Sequence, residues 1–173
     1  MNILIEEYYD IAILVGSYIS GYINGGYGQG DAAKDAEVLR FEKGSFSASS
    51  CHIPSYPIEA RNADGVVFDQ SIVVCGGHGG PHQGTCYQLK DNLQDWIPFP
   101  EMKQRRSGLS MVAVGDGLYA IGSSDVSKGE FYRDGTWSYI AEMPEKINYG
   151  CAVALTSNTI MYIGGSVSGN VSH

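Results

Sequence analysis

Apolar residues in this chain come in paired runs that are separated by short polar turns. Three segments of sixteen residues align without gaps and share this order: residues 62–77, 108–123 and 150–165. In the first, an apolar run at residues 66–68 is followed by a three-residue turn at 69–71 and a second apolar run at 72–75. The turn residues are types that bond to their own backbone or adopt positive φ. Each segment therefore predicts a β-hairpin whose strands are apolar enough to be buried on both faces.

A marker glycine closes the second run of each hairpin and sets the period of the repeat. These glycines are Gly76, Gly122 and Gly164, and Gly16 ends a weaker copy at residues 2–17. From Gly16 onward the successive spacings are 60, 46 and 42 residues. A period in the forties, with several strands and turns inside each unit, is typical of four-stranded propeller blades, whereas helix pairs would show a helical period.

The remainder of each central unit supplies two more predicted strands. A third strand is predicted at residues 85–89 and 129–132, and a fourth at 95–97 and 136–140. The fourth strands carry Trp96 and Trp137, which are 41 residues apart and so keep step with the glycines. We expect these tryptophans to pack between neighbouring units rather than to bind a ligand.

This order of residues resembles the kelch repeat, in which a strand ending in Gly-Gly is followed by a tyrosine and then a tryptophan. The residues that carry the resemblance are Gly76, Gly77, Tyr87, Trp96 and Met102 in one unit and Gly122, Tyr132, Trp137, Met143 and Pro144 in the next. The resemblance implies an all-β fold of kelch-type β-propeller blades, each a four-stranded antiparallel sheet. It is weaker where Ser17 and Ser123 replace the second glycine, and in the first unit, which lacks a tryptophan.

The repeats are expected to form a single domain over residues 1–173. The units fall near residues 1–57, 58–102, 103–145 and 146–173, the first divergent and incomplete and the last truncated. Because propellers close with roughly 4 to 8 blades, two whole and two partial units predict a partial or incompletely closed ring. A fragment of a longer propeller is the expectation, with closure by a second copy, or by the two end units completing each other, as alternatives. An open ring would expose blade faces and favour self-association.

Composition and charge disfavour two classes of partner. The 173 residues include 11 Lys and Arg against 19 Asp and Glu, a net charge of −8, which argues against binding to nucleic acid or to an anionic membrane. The apolar stretch at residues 11–15 is far shorter than the roughly 20 residues of a membrane-spanning helix. With 23 glycines and 12 tyrosines, the chain favours short strands and tight turns over a helical bundle.

The four cysteines leave the cellular compartment open. Cys75 and Cys86 stand at the two ends of a glycine-rich loop, where they form either a disulfide across a hairpin or two buried reduced thiols. Cys51 and Cys151 complete the set, and the sequence has no CxxC zinc motif. The cytoplasm is favoured as the location, while the sequon at residues 170–172 keeps secretion as an alternative.

Loops that follow the marker glycines hold the first candidate binding residues. The loop at residues 18–36 carries Tyr22 and Tyr27 among glycines. Exposed tyrosines in such a loop suit protein recognition, and a loop without a partner is the alternative interpretation.

A basic segment between two units holds the second set of candidates. Lys103, Arg105 and Arg106 form the densest basic patch of the acidic chain, and Arg61 occupies a nearby position in the preceding unit. Kelch-type domains often place partner-binding arginines between units, so the resemblance implies that these residues receive an acidic peptide. Solvated charges, or structural ion pairs between units, are the competing interpretation.

We expect a non-catalytic protein–protein interaction module that needs no cofactor and no metal. The sequence contains no nucleophile elbow, phosphate-binding lysine loop or zincin motif. His78 and His82 are four residues apart, but the glycines and proline between them exclude a helix, which disfavours a metal site. Two alternatives stay open. One is a fragment of a kelch-type enzyme, copper radical oxidase-like or carbohydrate-active, and the other is a structural extracellular module, which a Cys75–Cys86 disulfide would indicate.

Overall fold

The structure is a computed structural model that describes residues 3–5, 11–15, 36–42, 45–48, 53–78, 84–90 and 94–167. These ranges contain sixteen β-strands, and every pairing between them is antiparallel. The all-β expectation is therefore confirmed. In the part of the chain that is described, no helix is long and apolar enough to cross a bilayer.

Twelve of the strands form three four-stranded meanders, in which each strand pairs with its neighbours in sequence. The first sheet contains β1 (Ile3–Ile5), β2 (Ile11–Val15), β3 (Ala36–Glu42) and β4 (Ser45–Ala48). The second contains β5 (Asp64–Phe68), β6 (Ser71–Cys75), β7 (Cys86–Lys90) and β8 (Trp96–Phe99). The third contains β9 (Ser110–Val114), β10 (Gly117–Ile121), β11 (Lys128–Arg133) and β12 (Thr136–Glu142). The predicted four-stranded antiparallel sheets are confirmed for the two central units, and the first unit, which was expected to be incomplete, also forms a four-stranded sheet.

The last described unit consists of two strand pairs. β14 (Cys151–Thr156) and β15 (Thr159–Ile163) form a hairpin with an irregular register between Ala154 and Thr156. β13 (Ile147–Asn148) pairs with β16 (Ser166–Val167). In the alignment of the repeats, β14 and β15 correspond to the first two strands of the preceding sheets.

The hairpin turns contain two residues rather than the three that the sequence suggests. Ser71 pairs with Phe68 and belongs to β6, so the turn of the second sheet is formed by Asp69 and Gln70 alone. These two residues have φ of 48° and 56°. Two consecutive residues with positive φ give a turn whose twist matches that of the flanking strands, so the third residue is free to join the ladder.

Each tryptophan donates a hydrogen bond to the proline carbonyl that precedes its own unit. Trp96 Nε1 donates to the Pro54 oxygen at 3.0 Å, and Trp137 Nε1 donates to the Pro100 oxygen at 2.8 Å. Both side chains are buried. The prediction that the tryptophans serve the packing of the units is confirmed.

A second repeated hydrogen bond joins the first strands of successive units. Asp64 Oδ2 accepts the amide of Met111 at 2.7 Å, and Ser110 Oγ accepts the amide of Ala152 at 2.9 Å. Apolar side chains fill the space between these sheets. One core cluster draws on the second and third sheets and includes Val73, Cys75, Cys86, Met111, Leu118, Ala120 and Trp137.

At the marker glycines Gly76 and Gly122, the end of the second strand lies against the connection to the next unit. Gly76 has φ of 71°, and a Cβ on it would lie 2.8 Å from the carbonyl oxygen of Arg106. The next amide, that of Gly77, donates to the same oxygen at 2.9 Å. One unit later the amide of Ser123 donates to the oxygen of Ile147 at 2.8 Å. Gly76 and Gly122 therefore lie too close to neighbouring backbone to accept a side chain, whereas the position after the marker glycine can be serine.

Two of the cysteines form a disulfide. Cys75 and Cys86 are paired residues of neighbouring strands β6 and β7, and both are fully buried. The structure thus contains the disulfide rather than two reduced thiols. Cys151 is free and exposed, whereas Cys51 lies outside the described residues.

Candidate functional site

Several inter-unit connections meet at the end of the sheets where the marker glycines lie. Arg61 and His78 exchange backbone hydrogen bonds of 3.1 and 2.6 Å, and Gly77 donates to the Arg106 oxygen. The segments around Arg61 and Arg106 therefore flank the same glycine. We call the exposed side chains of Arg61, His78, Lys103, Arg105 and Lys128 at this end of the sheets the basic end.

Arg61 is exposed and contacts its neighbour His78 through side chains as well as backbone. Its Nε and Nη2 lie 3.3 and 3.1 Å from His78 Nδ1. A guanidinium can only donate hydrogen bonds, so Nδ1 is the acceptor in this contact. The predicted binding residue Arg61 is thus held at the surface by the residue that follows the marker glycines.

Arg106 is not part of this surface, because its side chain is completely buried. Its Nε and Nη2 donate to Glu130 Oε1 at 3.2 and 3.0 Å, and Nη1 donates to the Gly122 oxygen at 3.4 Å. Nη2 also donates to the carbonyl of Lys128. Arg106 therefore makes a structural ion pair, within the unit 103–145 rather than between units, and does not belong to the candidate binding set.

Burial and the ion pair have opposite effects on the pKa of the Arg106 guanidinium. Desolvation lowers the pKa of Arg106, and the adjacent carboxylate of Glu130 acts in the opposite direction. Glu130 is also fully buried. Such a pair tolerates burial because every charged atom finds a partner, and losing one member would leave the other charge uncompensated.

Glu130 also anchors the backbone of the basic segment. Its Oε2 accepts the amide of Lys103 at 2.6 Å, and its Oε1 accepts the amide of Gln104 at 3.0 Å. The side chains of Lys103 and Arg105 are exposed on either side of Gln104. One buried carboxylate therefore fixes the backbone from which two exposed cations project.

Tyr139 extends the basic end on the neighbouring sheet. Its hydroxyl accepts a hydrogen bond from Gln104 Nε2 at 2.9 Å. The ammonium groups of Lys103 and Lys128 lie 5.5 and 5.7 Å from its ring centroid, within the range of cation–π attraction. Glu142 pairs with Lys128 at 3.5 Å, and both side chains are about half exposed, so this pair is solvent-screened.

Sequence reasoning missed Tyr139 and Lys128. Lys103 and Tyr139 are 36 residues apart in the sequence, so no short motif links them. The only available signal is the alignment of the repeats, which places Lys128 directly before the third strand and therefore at the glycine end.

Two predicted residues, Tyr22 and Tyr27, lie outside the described residues, as does His82. Among the residues that are described, no group of three or more His, Cys, Asp or Glu side chains is placed to hold a metal ion. Every buried side-chain nitrogen or oxygen in the same ranges has a hydrogen-bond partner.

Comparison with known proteins adds no family assignment to this geometry. No protein-family model matches the chain, and no curated protein is significantly similar to it.

Proposed function

We propose that this protein is a non-catalytic interaction module built of kelch-type β-propeller blades, and that its basic end receives an acidic peptide segment of another protein. The repeat spacing and the recurring inter-unit hydrogen bonds of the tryptophans and first strands support the propeller part of the proposal. The observation that carries the binding part is the anchoring of Lys103 and Gln104 by the buried carboxylate of Glu130.

Pre-organisation is the physical reason why this anchoring favours binding. A partner that meets a mobile basic loop must order the loop's backbone, and that entropy subtracts from the affinity. Here the backbone of Lys103 and Gln104 is already held, so only the side chains need to be ordered. Arg105 presents a planar guanidinium that can bind a carboxylate through two hydrogen bonds, and Lys103 adds a second positive charge.

Net charge restricts the kind of contact. Because the chain carries a charge of −8, the field of the whole protein repels an acidic partner at long range. Binding therefore depends on charges in direct contact at the basic end. We expect the affinity to depend specifically on Lys103 and Arg105, not on the total number of positive charges.

A direct test uses a fluorescein-labelled peptide of eight glutamates and measures its fluorescence anisotropy on titration with the protein. The double variant Lys103→Ala/Arg105→Ala should bind at least about tenfold more weakly than the wild type, since two charged contacts are lost. Its thermal unfolding should be unchanged, because both side chains are exposed.

Lys90→Ala/Arg133→Ala is the matched control. It also removes one lysine and one arginine, but at the opposite end of the sheets, where Lys90 pairs with Ser71 and Arg133 with Thr136. The control should bind the peptide as the wild type does. Equal losses in both double variants, or a wild type that does not bind, would contradict the proposal.

The disulfide supports a second candidate function, that of a structural module in an oxidising compartment. A buried bridge between neighbouring strands is typical of secreted domains and of periplasmic or surface proteins. Peptide mapping after alkylation without reductant should recover Cys75 and Cys86 in one linked species. Recovery of both as alkylated thiols from protein isolated from its native source would remove this candidate.

A further inference from the structure

The outer face of the last hairpin is apolar and exposed. Met161 and Ile163 of β15 are 39 % and 50 % exposed, and their partners across the hairpin are Val153 and Cys151. Leu155, at the irregular register of β14, is 55 % exposed. We call these five residues the outer face.

The opposite face of the same hairpin is covered. Ala152, Ile160 and Tyr162 belong to a core cluster with Val112 and Ile121 of the third sheet. The hairpin thus buries one of its two apolar faces against the preceding unit.

The same outer face is covered in the preceding unit. In the repeat alignment, Ile121 corresponds to Ile163 and Tyr119 to Met161. Ile121 is only 8 % exposed, because β14 and β15 pack over it. The face of β10 that corresponds to the outer face is therefore covered in this structure by the β14–β15 hairpin of the following unit.

Charge does not oppose the burial of this face. Residues 147–173 contain no Asp, Glu, Lys or Arg. Strands at the edge of a sheet commonly contain a proline or a charged residue. The edge strand β8 contains Pro98 and the edge strand β12 contains Glu142, whereas β15 has neither kind of residue. Covering the outer face removes no charged group from water, and the local repulsion between two acidic chains is small.

We propose that two copies of the 173-residue chain pack the outer faces of their β14–β15 hairpins against each other around a two-fold axis. Within residues 53–78, 84–90 and 94–167, the other exposed large apolar side chains are the tyrosines Tyr139 and Tyr149, which already make side-chain hydrogen bonds. The matching surface on a second copy is therefore the same face, and a surface that contacts itself gives a closed dimer. This contact does not use the basic end and does not depend on its proposed function.

Sedimentation equilibrium over a roughly hundredfold range of protein concentration tests the dimer. The average mass of the wild type should rise from 18.6 kDa towards twice that value. The double variant Met161→Lys/Ile163→Lys should remain at 18.6 kDa, while Tyr139→Lys, which changes an exposed aromatic residue elsewhere, should dimerise like the wild type. A monomeric wild type, a variant that still dimerises, or a mass that grows beyond two copies would overturn the proposal.

The exposed thiol of Cys151 supplies a measurement that does not depend on any variant. Because Cys151 lies across from Ile163 on the outer face, the dimer should shield it from iodoacetamide. Its alkylation rate, followed by peptide mass spectrometry, should fall as the wild-type concentration rises. A rate that is independent of concentration would count against the two-fold contact.

Discussion

The hairpins β9–β10 and β14–β15 follow the same sequence pattern but differ in burial. Ile121 of β10 is 8 % exposed, whereas its counterpart Ile163 of β15 is 50 % exposed. The first hairpin lies between two neighbours, and the second has a described neighbour on one face only. Strand pattern therefore determines which faces are suited to burial, and the array of units determines which faces are buried.

The same contrast applies to charged groups. Arg106, in the connection that precedes the third sheet, and Glu130 of β11 form a fully buried pair, and Lys128 and Glu142 form an exposed pair at the rim of the third sheet. Stability in a stacked array comes from each unit and from the interface between neighbours. The interface between the second and third sheets should therefore dominate the free energy of unfolding.

The largest effect is expected from Glu130→Gln. The change leaves the buried guanidinium of Arg106 unpaired and places an amide near the N–H groups of Lys103 and Gln104. We expect the free energy of unfolding to fall by about 3–5 kcal/mol, measured by urea denaturation.

Glu142→Gln is the control for this prediction. It breaks the exposed pair with Lys128 and should cost less than about 1 kcal/mol. Similar losses from the two substitutions would mean that burial does not distinguish the two ion pairs.

The second-largest effect on the free energy of unfolding distinguishes the two hairpins by one leucine-to-alanine substitution in each. Leu118→Ala removes a fully buried side chain and should cost about 2–5 kcal/mol. Leu155→Ala, at a residue that is 55 % exposed, should change the free energy of unfolding by less than about 0.5 kcal/mol in dilute protein. Denaturation curves of both variants at the same low concentration make the comparison, and a large loss from Leu155→Ala would show that its face is covered within the monomer.

The smallest of the expected changes in stability concerns Tyr56 and is measured at alkaline pH. This residue packs edge-on against Tyr87 and Trp96. Burial raises the pKa of Tyr56 above its ordinary value, with a further contribution from Tyr87. In the unfolded chain the phenol loses its proton near pH 10, while in the folded protein it keeps it. The stabilising contribution is thus complete below about pH 10 and is lost as the pH rises further.

Tyr56→Phe should therefore make the alkaline decline in stability shallower, by about 1 kcal/mol between pH 10 and 11. Denaturant titrations at the two pH values measure the difference. An unaltered slope in Tyr56→Phe would refute the assignment of this titration.

Repetition explains why so much of the fold could be predicted. Each hairpin occurs several times, so the positions of Gly76, Gly122 and Gly164 reinforce one another although each alone is a weak signal. The turn length was wrong by one residue because Ser71 is both a common turn residue and able to pair in a strand. Polarity alone does not separate these two roles.

The candidate site was less predictable because burial depends on distant partners. In the sequence, Lys103, Arg105 and Arg106 form one basic cluster, but Glu130 lies 24 residues beyond Arg106 and buries only that member. Short-range charge patterns carry no information about such a partner. The sequence therefore located the segment and could not assign its three cations to surface and interior.

The position of Glu130 also determines how the loop at residues 103–105 can be transplanted. The loop that displays Lys103 and Arg105 lies ahead of the third sheet, whereas the carboxylate that shapes it belongs to a strand inside that sheet. Grafting the loop alone onto another scaffold would carry over its charges without its backbone conformation. The portable element is the loop together with Glu130 and Arg106, and an engineered exchange would have to move all of them as one set.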